Sequence, residues 1–269
     1  MESKSRTPWE KMELIRNKNR PTIRDYIPLI FDNFIELHGD RHYGDDGAIL
    51  GGIATLNGIP VTVIAEVKGK NLIENKQSNF AMPHPEGYRK ALRLAKQAEK
   101  FKRPVIFFID TPGAFCGIGA EERGQGEAIA KNLMELMVLK TPIISIVLGE
   151  GESGGALAIG ICDELAMLEN ALYSVVSPRG FASILWKDAS KEKEAMQIMH
   201  ITAQDLKSLG VCETIIPEPV GGAHMDLYKM SENIKEYLVK KTDEKMKKTL
   251  DVLLNERYTK FRKIGEFEE

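Results

Sequence analysis

The apolar run Val105-Ile106-Phe107-Phe108-Ile109, which lacks polar alternation, and the strand Pro142 to Leu148 each lead straight into a glycine-bearing loop and then a helical stretch. A strand whose consecutive side chains are all apolar has no solvent face, so it must be covered on both sides. Strand, loop and helix repeated in this order predict parallel strands joined by right-handed crossovers, with their loops gathered at the carboxyl ends of the strands. The first run passes through Asp110 into Thr111-Pro112-Gly113-Ala114-Phe115-Cys116-Gly117-Ile118-Gly119 and a helix from about Ala120 to Leu139. The second enters Gly149-Glu150-Gly151-Glu152-Ser153-Gly154-Gly155-Ala156, with a short helix from Gly155 to Ile161.

The remaining elements are arranged around these two units. Apolar spacing from Ile23 through Phe34 and Ile35 predicts an amphipathic helix that starts at Pro21-Thr22. Ala48 to Leu56 and Ile59 to Val67 flank Asn57-Gly58, a strong hairpin signal. Gly87 to Phe101 has helical period, and strands are expected at Glu164 to Leu168, Leu172 to Val176 and Val211 to Ile216. Helices are expected at Phe181 to Trp186, Ser190 to His200 and Thr202 to Leu209. From Asp226 to Lys263 the pattern is helical and charged, with Ile234, Leu238, Leu250, Val252 and Leu253 as apolar contacts. The expected division is a helical extension over 1–40, a core over 41–225 and a second helical extension over 226–269, forming one domain overall.

Composition removes several function classes. A net charge of -2 with interspersed signs gives no nucleic-acid footprint and no polybasic membrane patch. Cys116, Cys162 and Cys212 are odd in number and widely spaced, which fits a reducing compartment. The polar start and the absence of a long apolar run point to a cytoplasmic protein without a membrane span. His38, His42, His84, His200 and His224 lack metal-binding spacing, and no phosphate loop of the ATPase type is present.

Chemistry is concentrated in the two glycine loops. Glycine lets backbone approach a ligand without a Cβ in the way, and a following helix start offers unpaired N–H donors. Two facing tips could direct two N–H groups at one oxygen, as in an oxyanion hole. Gly151-x-Ser153-x-Gly155 also has the letters of a hydrolase nucleophile elbow, but a serine without a base in reach is a poor nucleophile.

The segments DTPGAFCGIGAEERGQGEAIAKNL (110–133), GEGESGGALAIG (149–160), YSVVSPRGFASILW (173–186) and IIPEPVGGAH (215–224) resemble the alpha subunits of acetyl-CoA carboxylase carboxyltransferase. Pro8-Trp9-Glu10-Lys11, RPTIRDYI (20–27) and ELHGDR (36–41) extend the resemblance over nearly the whole chain. The resemblance implies an α/β fold of the ClpP/crotonase type, a β-β-α superhelix. It implies transfer of a carboxyl group from carboxybiotin to acetyl-CoA, giving malonyl-CoA for fatty acid biosynthesis. Biotin would arrive on a biotin carboxyl carrier protein, ATP would be used only by a partner biotin carboxylase, and zinc would sit on a beta subunit. Two alpha and two beta chains would assemble. On the motif match, the backbones of Gly155 and Ala156, aided by Gly154, receive the biotin ureido oxygen, with Gly113, Ala114 and Phe115 as the facing wall.

ClpP-type peptidases of this superfold place their histidine near the segment matching Tyr173 to Pro178, which holds none here. His200 and His224 would need unexpected folding to replace it. The chain also departs from the pattern it resembles. Glu152 stands where glycine is common, Phe115-Cys116 where tyrosine and proline are common, and Arg179 where glutamate is common. Glu152 and Arg179 are expected to pair, and Cys116 to be a small buried residue. The alternative function is a stand-alone crotonase-type acyl-CoA isomerase, hydratase or decarboxylase, for which Glu121 and Glu122 are the candidate bases.

Overall fold

The computed structural model describes residues 6–266, so the first five and last three residues of the expected extensions lie outside the described residues. Helix α1 (Pro8–Ile15) starts at a capping box in which Thr7 and Glu10 exchange hydrogen bonds, and α2 (Ile23–Ile30) at the equivalent Thr22–Asp25 box. The apolar spacing predicts that this second helix continues through Ile35, but it stops at Ile30. Residues 32–36 instead form strand β1 (Asp32–Glu36), with Asn33 at φ 53°. The open edge of β2 (Ile49–Leu56) takes β1 as an antiparallel partner, and strand pairing overrides the helical period. Across Asn57-Gly58, both at positive φ, β2 returns as β3 (Ile59–Glu66), which is the expected hairpin.

Helix α3 (Leu72–Gln77) precedes α4 (Pro85–Lys100), which buries one apolar face on the sheet. Next come β4 (Val105–Thr111), α5 (Ile118–Glu122) and α6 (Gln125–Met137). The single helix expected from Ala120 to Leu139 is therefore split, with Gly124 in the left-handed region at the break. Strand β5 (Ile143–Glu152) runs on into the glycine stretch, so helix α7 (Ser153–Leu157) begins two residues before the expected Gly155. The chain continues through β6 (Glu164–Leu168), β7 (Leu172–Ser174), α8 (Pro178–Trp186), α9 (Glu192–Ile198) and α10 (Ala203–Ser208). It ends with β8 (Thr214–Ile216), α11 (Leu227–Met246) and α12 (Leu250–Lys263). Strands β7 and β8 are shorter than the sequence pattern suggests. Among the described residues no helix is long and apolar enough to cross a membrane.

The sheet order is β1-β2-β3-β4-β5-β6-β8, with β7 pairing the far end of β5. Among the described strands, β1–β2 and β2–β3 pair antiparallel and the other strand pairs are parallel. Every residue of β4 and β5 is buried, the apolar Val105 to Ile109 as its lack of alternation requires, and also the polar Asp110, Thr111, Ser145, Glu150 and Glu152. One core cluster joins these strands to α2, α4 and α11.

At the C-terminus the apolar contacts are only partly those expected. Ile234, Leu238 and Leu253 are buried, but Leu250 and Val252 are about half exposed. Helix α12 is instead anchored by Arg257, which is 1% exposed and pairs bidentately with Asp163 at 2.8 Å. Its remaining N–H groups donate to the carbonyls of Leu136, Leu139 and Thr141. Removing one partner strands a buried charge, so Arg257→Leu should destabilise the chain by about 3–5 kcal/mol in urea denaturation. A loss under 1 kcal/mol would show that α12 is held by other contacts.

Candidate active site

Parallel pairing of β4 with β5 sets Thr111 opposite Gly151 and brings the two glycine loops side by side. A Cβ on Gly155 would lie 2.4 Å from the backbone N of Ala114 and 2.6 Å from the carbonyl carbon of Gly113. The loops therefore touch backbone to backbone, and no side chain fits between them. Gly113 is buried at φ 131°, Gly155 and Ala156 are buried, and Gly154, Ala114 and Phe115 are half-buried. The Phe115 ring lies 4.5 Å from that of His84, and the Gln125 amide donates to the carbonyls of Phe115 and Pro83. Ser153, Gly154 and Gly155 form the first turn of α7, where N–H groups have no intrahelical acceptor, and Ala156 follows them.

Ser153 is held at φ 60°, a strained conformation for a residue with a side chain. It is exposed, and its hydroxyl has no hydrogen-bond partner among the described residues. His200 sits beside Asp205, while His224 follows the Gly221-Gly222 turn with a buried, unpartnered Nδ1. The elbow geometry is present, but no base is bonded to its serine.

The sequence reading missed the polar frame beneath the loops. Lys68, just past β3, places its Nζ 2.8 Å from Asp110 and 3.2 Å from Glu150, the residues that lead into the two loops. The Glu150 N–H donates to the same Asp110 carboxylate at 3.0 Å. Arg16 adds a 2.8 Å pair to Glu150 from the α1–α2 connection. Arg20 pairs with buried Glu218 at 2.8 Å and donates to the Leu148 carbonyl at 2.6 Å. These residues lie in separate segments, so no local spacing announces the frame, although RPTIRDYI and IIPEPVGGAH supply Arg20 and Glu218.

Glu152 does not pair with Arg179. Strand alternation puts Glu152 on the same face as Glu150, toward Arg16, where it is 5% exposed. Arg179 is exposed on α8 and forms no ion pair among the described residues. Burial, then the Glu150 charge, push the Glu152 pKa up to about 7 despite Arg16 and Lys68. Burial also opposes the Glu150 carboxylate, but Lys68 and Arg16 outweigh it and hold its pKa below the ordinary value. Cys116 is exposed, not buried, because its loop carries it over the surface. Glu121 and Glu122 are exposed and line a hollow with His42 and Arg123.

The sign of the pH effect follows from the Glu152 position. Between the ordinary carboxyl value of 4.5 and about 7, the folded chain holds a proton that the unfolded chain has released. This group's contribution to stability therefore declines as pH rises through that window and is flat above it. Glu152→Gln should remove the decline, so its stability advantage over the parent, measured by urea denaturation, should grow from pH 5 to pH 7 and then level off. An advantage independent of pH would mean that Glu152 titrates normally.

Residues 3–265 match the family described as acetyl co-enzyme A carboxylase carboxyltransferase-like. The chain is 63% identical over 256 residues to the acetyl-coenzyme A carboxylase carboxyl transferase subunit alpha of Clostridium perfringens, covering 95% of this chain and 94% of the relative. It is 59% identical to a Natranaerobius thermophilus protein named subunits beta/alpha, covering 100% of this chain and 44% of that longer one. Among solved structures, transcarboxylase 12S aligns with a TM-score of 0.65 at 20% identity, over 86% of this chain and under half of that one. That likeness establishes the crotonase-type fold expected from the sequence, and the family match over nearly the whole length places the chain in the acetyl co-enzyme A carboxylase carboxyltransferase-like family.

Proposed function

We propose that this chain is the alpha subunit of an acetyl-CoA carboxylase carboxyltransferase. It moves the carboxyl group of carboxybiotin, presented by a biotin carboxyl carrier protein, to acetyl-CoA, forming malonyl-CoA. The observation that carries the site assignment is the backbone contact at Gly155, where a Cβ would strike Gly113 and Ala114. The identity to alpha subunits of that enzyme supports the same reading. The relative with a beta/alpha name supports a beta chain as partner. Zinc and ATP chemistry then belong to the beta subunit and to the biotin carboxylase, and the complex works in the cytoplasm.

A biotin ring system suits these loops because their surface is backbone, which a flat amide-like group can approach closely. Carboxybiotin supplies the carboxyl group for transfer. The chain's contribution is to hold the oxygen that gains negative charge as that group leaves. The N–H groups of Gly155 and Ala156, with Gly154 beside them, donate to this oxygen, and Gly113, Ala114 and Phe115 close the opposite side. Donors fixed before the charge appears need no reorganisation, and one such donor typically lowers a barrier by about 2.7 to 4 kcal/mol. Lys68 and Arg16 keep the donor geometry by clamping Asp110 and Glu150. Ser153 serves only as the turn residue that swings α7 into place.

The test is malonyl-CoA-dependent carboxylation of free biotin by the chain with and without its beta partner. Activity should need both chains. Gly155→Ala should lower kcat by about a hundredfold or more, whereas Ser153→Ala should stay within about threefold. Thermal melts of both variants separate lost chemistry from lost folding. Activity of this chain alone, or loss of activity in Ser153→Ala, would overturn the reading.

A further inference from the structure

Away from the glycine loops, a hollow of about 500 Å³ opens between α4, the start of α6 and the turn that follows β1. Arg89, Arg93, Lys96, Arg123 and Lys131 line it with the carboxylate of Glu127, and Glu121 and Glu122 line the adjoining hollow. Three of these cations already have carboxylate partners: Arg89 and Arg123 pair with buried Asp40 at 2.8 Å and buried Glu86 at 2.9 Å, and Lys96 pairs on the surface with Glu135 at 2.9 Å. Arg93 and Lys131 have no ion pair among the described residues.

Arg93 is fixed differently from the others. Its Nε donates to the Gly39 carbonyl at 3.0 Å and its Nη2 to the His38 carbonyl at 3.3 Å. Arg41 donates to the same His38 oxygen at 2.7 Å, so two guanidinium groups converge on one neutral acceptor. Burial first, and then Arg41, lower the Arg93 pKa, while Asp45 and Asp40 oppose the shift. Arg89 also keeps a buried Nη2 without a hydrogen bond. Leu92 and Ala128 give the hollow a buried apolar floor, and Arg123 stacks 4.5 Å over the Tyr43 ring at its rim. Arg93, held in place by carbonyls on one helix, and the exposed Lys131 on another present two positive charges to a ligand carrying more than one negative oxygen cluster. The concave shape favours a small ligand over a flat protein surface.

We propose that this hollow binds the diphosphate of a nucleotide-class ligand, with Arg93 on one wall and Lys131 on the other as its principal contacts. Either a free nucleoside diphosphate or the diphosphate of a coenzyme A ester carries this chemistry. The site does not depend on the carboxyl-transfer reading, and its test uses no turnover.

Calorimetric titration of the full chain with inorganic pyrophosphate, ADP and coenzyme A provides the test. Pyrophosphate and ADP should bind, and the double variant Arg93→Gln/Lys131→Gln should weaken them about tenfold or more. Lys240→Gln, on the exposed side of α11, should leave binding unchanged. Coenzyme A displacing ADP identifies a substrate-derived diphosphate, and ADP retained against coenzyme A identifies a free nucleotide. If circular dichroism finds the double variant unfolded, Lys131→Gln alone, an exposed change, gives the result. The proposal is overturned if none of the three ligands binds or if binding ignores these substitutions. Binding of poly-glutamate without pyrophosphate would equally overturn it, in favour of an acidic protein partner.

Discussion

The Lys68 ammonium between Asp110 and Glu150 is the contact on which the candidate site depends. Each carboxylate leads directly into one glycine loop, so a single cation fixes the spacing of both. Two carboxylates this close would repel without it, and the shared Asp110 acceptor for the Glu150 N–H would open. Gly149 belongs to the same arrangement, since a Cβ there would lie 2.7 Å from an Asp110 oxygen. Arg16 and Arg20 extend the frame to the α1–α2 connection, which binds the N-terminal helices into the architecture of the site.

Within this frame the candidate surface is backbone. Side chains at the loops either pack, as Phe115 does against His84, or are excluded, as at Gly155. The charged residues nearby serve as struts, with Lys68 and Arg16 against Asp110 and Glu150, and Arg20 against Glu218. Glu152 fits that arrangement only because burial favours its neutral form at and below about pH 7.

The sequence was most informative where one physical signal acted alone. The apolar run Val105 to Ile109 located β4, the apolar-rich Pro142 to Leu148 located β5, and Asn57-Gly58 located the hairpin. It misled where distant partners decided the outcome. Phe34 and Ile35 kept a helical period, yet the free edge of β2 drew them into a strand. The charged Arg257 anchors α12, where an apolar pattern pointed to Leu250 and Val252. The two glycine loops were legible as a pair, but Lys68 and Arg16, far away in sequence, were not. The Glu152–Arg179 expectation failed for a simple reason: a strand alternates its faces, and Glu152 follows Glu150.

Strand β5 holds a further consequence. Ten residues long and buried throughout, it hydrogen-bonds β4 on one edge and β6 then β7 on the other. Such a strand has no inexpensive local opening, so its amides belong with the slowest-exchanging protons of the chain. Its carboxyl end, where α7 begins, is therefore an anvil with no hinge of its own. Under the proposed function, motion at this site would fall to the facing loop and to partners, not to the strand.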